Sequence, residues 1–260
     1  MPKICPLFSS SSGNCIYIAD GENAILVDTG VSAKKITTAL TERGLDIGNV
    51  RGIFITHSHN DHIAGLNVLL KHHKIPLYAS EKTFSELIRC NRFPAGCDIN
   101  IENSVKVATM QVTRFATSHD SPGSCGYIVK FQNGQGLALC TDLGYVSDEV
   151  RSSITGCRTV YIESNHDISM LNNGPYPIEL KMRISSDKGH LSNSACAKEL
   201  PNLVKNGAVR IILAHLSEHN NLPEVAKTAS IGALLSEGFV ENEDYMLTVA
   251  APSGNSVITI

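Results

Sequence analysis

No stretch of the 260-residue sequence approaches the roughly 20 consecutive apolar residues that a membrane-spanning helix needs. The longest apolar runs, such as Ile53-Phe54-Ile55 and Ile211-Ile212-Leu213-Ala214, are the length of buried strands. The opening residues lack a basic segment followed by an apolar one, so no export signal is read and a cytoplasmic protein is expected. An excess of positive charge is missing too. Lys and Arg number 22 against 25 Asp and Glu, a net charge of -3. That balance argues against a protein that grips nucleic acid over its whole surface. A local basic groove is still allowed; Lys181, Arg183 and Lys188 form the best small cluster, diluted by Glu179 and Asp187. A solvated face and a substrate contact explain that cluster equally well. No linker, low-complexity tract or simple repeat divides the chain, which predicts a single domain over residues 1–260. The eight cysteines lack zinc-knuckle spacing, and without an export signal they are expected as reduced, buried thiols.

What is present suits a soluble globular protein, with 42% hydrophobic and 18% charged residues. Apolar patterning predicts strands at 16–19 and 24–28, joined by a turn at Asp20-Gly21. A helix over 33–43 starts from the Ser32 cap and ends at Gly44. A buried strand at 52–56 runs into a histidine-rich loop. Helical spacing of Ile63, Leu66, Val68, Leu69 and Leu70 then continues to His73. A strand at 76–79 and a helix at 81–89 follow. The middle reads as strands at 111–116, 126–131 and 137–140, a short helix, and a strand at 159–162. Helices are predicted at 178–184, 192–205 and 223–236, with a strand at 210–214 and closing strands at 245–250 and 256–260. Two strand-rich runs, each followed by helices, predict an α+β protein. Two mixed β-sheets would pack face to face with helices outside, a four-layer αββα sandwich. Loops at one edge of the sheets would carry the chemistry.

The densest chemical signal is Thr56-His57-Ser58-His59-Asn60-Asp61-His62. Imidazole and carboxylate are ordinary donors for zinc and similar divalent ions. His57 and His59, two apart on a segment leaving a strand, point to the same side. Asp61 and His62 start the next helix and face a second position. Four donors do not complete two sites, so the remainder are sought at later strand ends. His119, Asp142 and His215 each stand just beyond one. The plain alternative is a polar loop that happens to hold three histidines, with ordinary loop residues elsewhere.

In that order the residues resemble the metallo-β-lactamase superfamily, whose motifs are an early Asp, HxHxDH, a His, an Asp and a late His. They match Asp28, the loop 57–62, His119, Asp142 and His215. The resemblance implies that His57, His59 and His119 hold one divalent ion and Asp61, His62 and His215 another. Asp142 would bridge them, and Asp28 would orient a ligand imidazole. Zinc is the default cofactor, and manganese or iron suits the same donors. β-Lactamases usually carry Cys where Asp142 stands, so antibiotic hydrolysis is not implied.

The second half resembles ribonuclease Z and the β-CASP nucleases through Glu163 at a strand end and Gly189-His190-Leu191-Ser192 before a helix. Those two motifs are too close in sequence to enclose a β-CASP cap. Within the superfamily the chain resembles the YycJ/WalJ-like bacterial branch. The shared stretches are the serine-rich opening at residues 9–14, Glu163-Ser164-Asn165-His166-Asp167, Gly174-Pro175-Tyr176-Pro177, Gly189-His190-Leu191-Ser192-Asn193 and Leu213-Ala214-His215-Leu216-Ser217. That branch resembles exonucleases acting on DNA from the 5′ end, which implies a nucleic-acid substrate, DNA in particular.

By this resemblance Asp61, Glu163 and His190 are the catalytic candidates. Water activated between the ions would attack phosphorus in line, and His190, oriented by Glu163, would protonate the leaving oxygen. Two divalent ions against Asp61, Asp142 and a hydroxide leave about one positive charge, which favours an anionic substrate. Ser12, Asn14 and His166 are candidate substrate contacts, weighed against a plain turn and a loop hydrogen bond; His219 is expected at the rim. Three rival readings stand beside the nuclease. A small-molecule cyclic phosphodiesterase shares nearly the same chemistry. A glyoxalase-type thioester hydrolase shares all seven metal ligands without needing Glu163 and His190. A non-catalytic metal-binding regulatory scaffold would need no proton donor. No membrane partner is expected, and the oligomeric state is left open.

Overall fold

A computed structural model describes residues 1–92, 94 and 96–260. The chain opens with β1 (Pro2–Ser10), β2 (Gly13–Asp20) and β3 (Asn23–Val27). It continues through α1 (Ala33–Thr41), β4 (Val50–Phe54), α2 (Asn60–Ile63), α3 (Leu66–His72), β5 (Leu77–Tyr78), α4 (Glu81–Arg89) and β6 (Ile99–Asn100). Next come β7 (Ser104–Val107), β8 (Met110–Ala116), β9 (Cys125–Lys130), β10 (Gly136–Cys140), α5 (Asp148–Ile154) and β11 (Thr159–Glu163). Last are α6 (Ile168–Asn173), α7 (Ile178–Ile184), α8 (Asn193–Lys205), β12 (Arg210–Ala214), α9 (Pro223–Ser236), β13 (Met246–Val249) and β14 (Ile258–Thr259).

Among the described residues these strands form two seven-stranded sheets, β14-β1-β2-β3-β4-β5-β6 and β13-β12-β11-β10-β9-β8-β7. Each is mixed: β1 to β3 and β7 to β10 pair antiparallel, whereas β3 to β6 and β10 to β13 pair parallel. Side chains alternate between the faces of a strand, and here both faces are apolar. Tyr17 and Leu26 turn outward to Ile36 and Leu40 of α1 and Leu66 of α3. Their neighbours Ile16, Ile18, Ile25 and Val27 turn inward and meet Val129, Leu139, Tyr161 and Ile212 of the second sheet. The outer face of that sheet, through Ala138, Val160, Ile162 and Leu213, packs on Val150 of α5, Leu200 of α8 and Leu234 of α9. Helix, sheet, sheet, helix is the four-layer αββα sandwich expected from the sequence.

The elements differ from expectation in instructive places. β1 is hidden in the sequence because Pro2 and Pro6 interrupt its pattern; Pro6 is accommodated at a register shift between Pro6 and Phe8. The one helix predicted up to His73 is two, α2 and α3, separated at Ala64-Gly65. There Gly65 N–H donates to the Thr29 carbonyl at 2.8 Å, tying the break to the end of β3. β7 and α6, four and six residues long, are too short for their patterns to stand out. The closing strands are shorter than predicted, Met246–Val249 and Ile258–Thr259. Among the described residues, no helix is long and apolar enough to cross a membrane.

Candidate metal centre

Parallel strands present their C-terminal ends to one edge, where loops are free to diverge. Asp28, Asp142 and His215 follow β3, β10 and β12 and share an unusual backbone, with φ of 60°, 57° and 55°. A left-handed residue ends the extended run of a strand; Asp and His adopt this conformation more readily than most residues.

Asp28 is buried and organises the histidine loop. Its Oδ1 accepts from Thr56 N at 2.9 Å, and its Oδ2 accepts from His62 Nδ1 at 2.8 Å and Thr56 Oγ1 at 2.9 Å. Burial raises the Asp28 carboxyl above its ordinary value, against the opposing pull of His62 and Thr56. The backbone holds the loop as firmly: Thr29 N–H donates to the His62 carbonyl at 2.8 Å. Gly30 forms its floor, because a Cβ there would lie 1.6 Å from the Asp61 carbonyl oxygen. Only glycine fits at that position.

Two groups of donors converge above this floor. His59 Nδ1 lies 3.1 Å from His57 Nε2 and 3.2 Å from His119 Nε2. Zinc–nitrogen bonds of about 2.0–2.1 Å in a tetrahedron put donors roughly 3.3 Å apart, close to that spacing. His119 donates its Nδ1–H to the Gly189 carbonyl at 3.1 Å, which leaves Nε2 to face the group. In the second group Asp61 Oδ2 is 3.3 Å from His62 Nε2 and 3.8 Å from His215 Nε2. Asp142 stands between the groups, with Oδ2 3.5 Å from His62 Nε2 and Oδ1 3.8 Å from His119 Nε2. Asp142 Oδ2 and His215 Nε2 are buried without a hydrogen-bond partner. Buried polar atoms are normally paired, so lone pairs gathered this way fit a divalent cation.

Glu163 ends β11 fully buried. Its Oε1 accepts from His190 Nδ1 at 2.8 Å and from His215 Nδ1 at 2.7 Å, and its Oε2 accepts from Leu143 N and Leu191 N, both at 3.1 Å. Burial would raise this carboxyl, but His190 and His215 outweigh it and hold the group well below its ordinary value. Asp61 is likewise lowered, burial being overcome by His62 and His215. With Nδ1 on Glu163, the half-buried His190 turns Nε2 to a cleft of about 350 Å³ that Asp61, Asp142 and His215 also line.

The candidate substrate contacts fall in three different places. Ser12 is exposed at the tip of the β1–β2 hairpin, and its neighbour Ser11 lines the cleft instead. Asn14 is buried, its Nδ2 donating to the Ser10 carbonyl at 3.0 Å and lying 3.1 Å from His62 Nε2. His166 is also buried, with Nδ1 unpartnered, and burial lowers it below the ordinary histidine value. His219 meets Tyr176, a cleft residue, edge to face at 5.7 Å between ring centroids.

Three contributors escaped the sequence reading. Thr56 braces Asp28, as described. Ser9 Oγ accepts from His215 N at 3.1 Å and from Tyr161 Oη at 2.6 Å, fixing the turn after β12. Asp120 places Oδ1 3.4 Å from His119 Nε2 and 3.5 Å from His59 Nε2, while Oδ2 accepts from Arg183 Nε at 2.5 Å. Its adjacency to His119 was the available signal.

A sandwich with this donor set at its strand tips is that of a metal-binding hydrolase, and the family model described as "Metallo-beta-lactamase superfamily" matches residues 10–215. The chain belongs to that superfamily. More narrowly, it falls with the YycJ/WalJ proteins. It is 36% identical over 242 residues to "Exodeoxyribonuclease YycJ" of Bacillus anthracis, covering 92% of this chain and 91% of that one. It is 32% identical over 263 aligned positions to "Exodeoxyribonuclease WalJ" of Streptococcus pneumoniae serotype 2 (strain D39 / NCTC 7466), covering 99% and 97%. Among solved structures, the metallo-beta-lactamase fold protein YhfI from Bacillus subtilis superposes with a TM-score of 0.73 at 12% identity, over 99% of this chain and 98% of that one. That likeness speaks for the fold.

Proposed function

We propose that this chain is a phosphodiester hydrolase dependent on two divalent cations, acting as an exonuclease on DNA from the 5′ end. The observation that carries the reading is the Glu163–His190 pair, an oriented imidazole on the same cleft as the proposed metal donors His59, Asp61, Asp142 and His215. Thioester hydrolysis calls for no such pair. That the YycJ and WalJ relatives are named exodeoxyribonucleases supports DNA as the substrate.

His57, His59 and His119 would hold one cation and Asp61, His62 and His215 the other, with Asp142 shared between them. Zinc suits this mixture of nitrogen and oxygen donors, and manganese or iron is the next candidate. Cations there supply positive charge for the phosphoryl oxygens and make water nucleophilic at neutral pH. Asp61, which also lines the cleft, would orient the attacking water. In its imidazolium form, with Nδ1–H held by Glu163, His190 would donate its Nε2 proton to the leaving oxygen. Asp28 holds His62 and Glu163 holds His215, so both imidazoles meet their cation pre-oriented.

The chain acts as one unit over 1–260 without a β-CASP cap, since only 27 positions separate Glu163 from His190. Eight free cysteines suit a reducing compartment, the cytoplasm. The deciding experiment digests single- and double-stranded DNA and RNA, labelled at either end, with zinc, manganese or iron added. Stepwise release of nucleotides from the 5′ end of DNA is expected. Turnover of small cyclic phosphates with every polymer left intact would overturn the reading.

A further inference from the structure

Lys181 and Arg183, two members of the best basic cluster in the sequence, part ways in the structure. Lys181 turns away, its Nζ donating to the Asn172 carbonyl at 2.8 Å. Arg183 does the opposite and lines the cleft. So do Leu180 of the same helix and Tyr176 just before it. A spacing of three residues puts Leu180 and Arg183 on one face of α7, and Tyr176 joins them in the cleft from the segment before the helix. Ile178 and Met182 occupy the opposite face and are exposed.

We infer that this face of α7 is a nucleotide subsite: Arg183 grips the phosphate next to the scissile one, and Tyr176 stacks the adjoining base. The inference rests on the nuclease reading and specifies how a polymer would be held. Arg183 is half-exposed, and its Nε donates to Asp120 Oδ2 at 2.5 Å. Among the described residues the two terminal amino groups of its guanidinium have no acceptor, and their fork matches a phosphate. The same Asp120 reaches the histidine group through Oδ1, so it positions the arginine against the metal donors.

The backbone fixes Arg183 relative to the proton donor as well. His190 N–H donates to the Ile184 carbonyl at 2.9 Å, and Asp120 N–H donates to the Lys188 carbonyl at 3.1 Å. Gly189 is pressed on this turn so closely that a Cβ would lie 2.3 Å from the Arg183 carbonyl oxygen. Tyr176 sits between Pro175 and Pro177, which stiffen the segment carrying it. A π-face beside a guanidinium is the pairing that single-stranded nucleic acid uses, one for the base and one for the backbone.

The test compares kcat/KM on a single-stranded DNA hexamer with that on bis(p-nitrophenyl) phosphate, which carries one phosphate and no neighbour. A lost charge-assisted contact corresponds to roughly 10- to 100-fold, so Arg183→Ala should lower the hexamer-to-diester ratio by that factor, through KM. The slope of log kcat/KM against log salt should flatten by about 0.7, the value of one single-strand phosphate contact. Arg183→Lys should restore the slope and only part of the ratio, because the charge returns without the fork. Tyr176→Ala should also lower the ratio and Tyr176→Phe should keep it. Met182→Ala, on the outer face, should match wild type on both substrates. An unchanged ratio and slope in Arg183→Ala overturns the subsite while leaving the nuclease intact. Wild-type protein that hydrolyses the diester and no polymer overturns the nuclease reading itself, and the subsite with it.

Discussion

Glu163 accepts the Nδ1 proton of His215 at 2.7 Å through the same oxygen that receives His190. One buried carboxylate thus orients a metal donor and the proposed proton donor together. The parallel register explains how: Glu163 of β11 lies opposite Ala214, the last residue of β12, so His215, which follows it, arrives beside Glu163.

This sharing separates two substitutions. His190→Ala should lower kcat roughly 100- to 10,000-fold with bound metal retained. Glu163→Gln should also weaken cation binding, by about 10- to 100-fold, because it loosens His215. Metal analysis beside single-turnover rates distinguishes them. Full metal retention in Glu163→Gln at limiting cation would refute the double role.

Two glycine substitutions should move stability in opposite directions. Gly30→Ala drives a methyl group into the Asp61 carbonyl and should cost about 1–3 kcal/mol or more. Gly232→Ala, in α9 with open space around it, should stabilise by up to about 1 kcal/mol. Urea midpoints at constant m-value report both.

Cation uptake should release protons, chiefly from one donor group. In the metal-free chain, burial and the neighbouring imidazoles push His57 well below the ordinary histidine value, so it is already neutral at pH 7. Burial alone would also lower His62 and His215. Asp142 and the other carboxylates around them win, raising His62 well above its ordinary value and pushing His215 up to about 10. A raised group keeps its proton at neutral pH, and a cation must displace it; affinity there falls as pH falls. Calorimetry in buffers of different ionisation enthalpy should show more protons released per cation at Asp61, His62 and His215 than at His57, His59 and His119. Equal release at both groups would contradict this.

Thiol labelling should single out Cys90, the exposed cysteine. Burial raises Cys125 to about 12 and Cys157 to about 11, so neither offers much thiolate at pH 8. Mass mapping after brief alkylation should find Cys90 modified first and the buried thiols only after denaturation.

Much was legible in the residues alone. The loop 57–62 is a local signal, because four closely spaced His and Asp side chains leaving a strand stand out in the residues themselves. The α+β layering was readable from strand runs followed by helices. β1 was not, since its prolines break the pattern and its stability comes from pairing with β2 and β14. Likewise, local patterning signals neither the left-handed backbone at Asp28, Asp142 and His215 nor the bond between Asp120 and Arg183.

Residue type and local spacing were enough to name the candidate donors and their order along the chain. The tertiary structure alone decided which imidazole leans on which carboxylate and which arginine turns to the cleft. Those contacts join positions 27 to 63 residues apart. Strand register and the packing of α7 against the Gly189 turn set their distances, and neither is encoded in any short stretch of sequence.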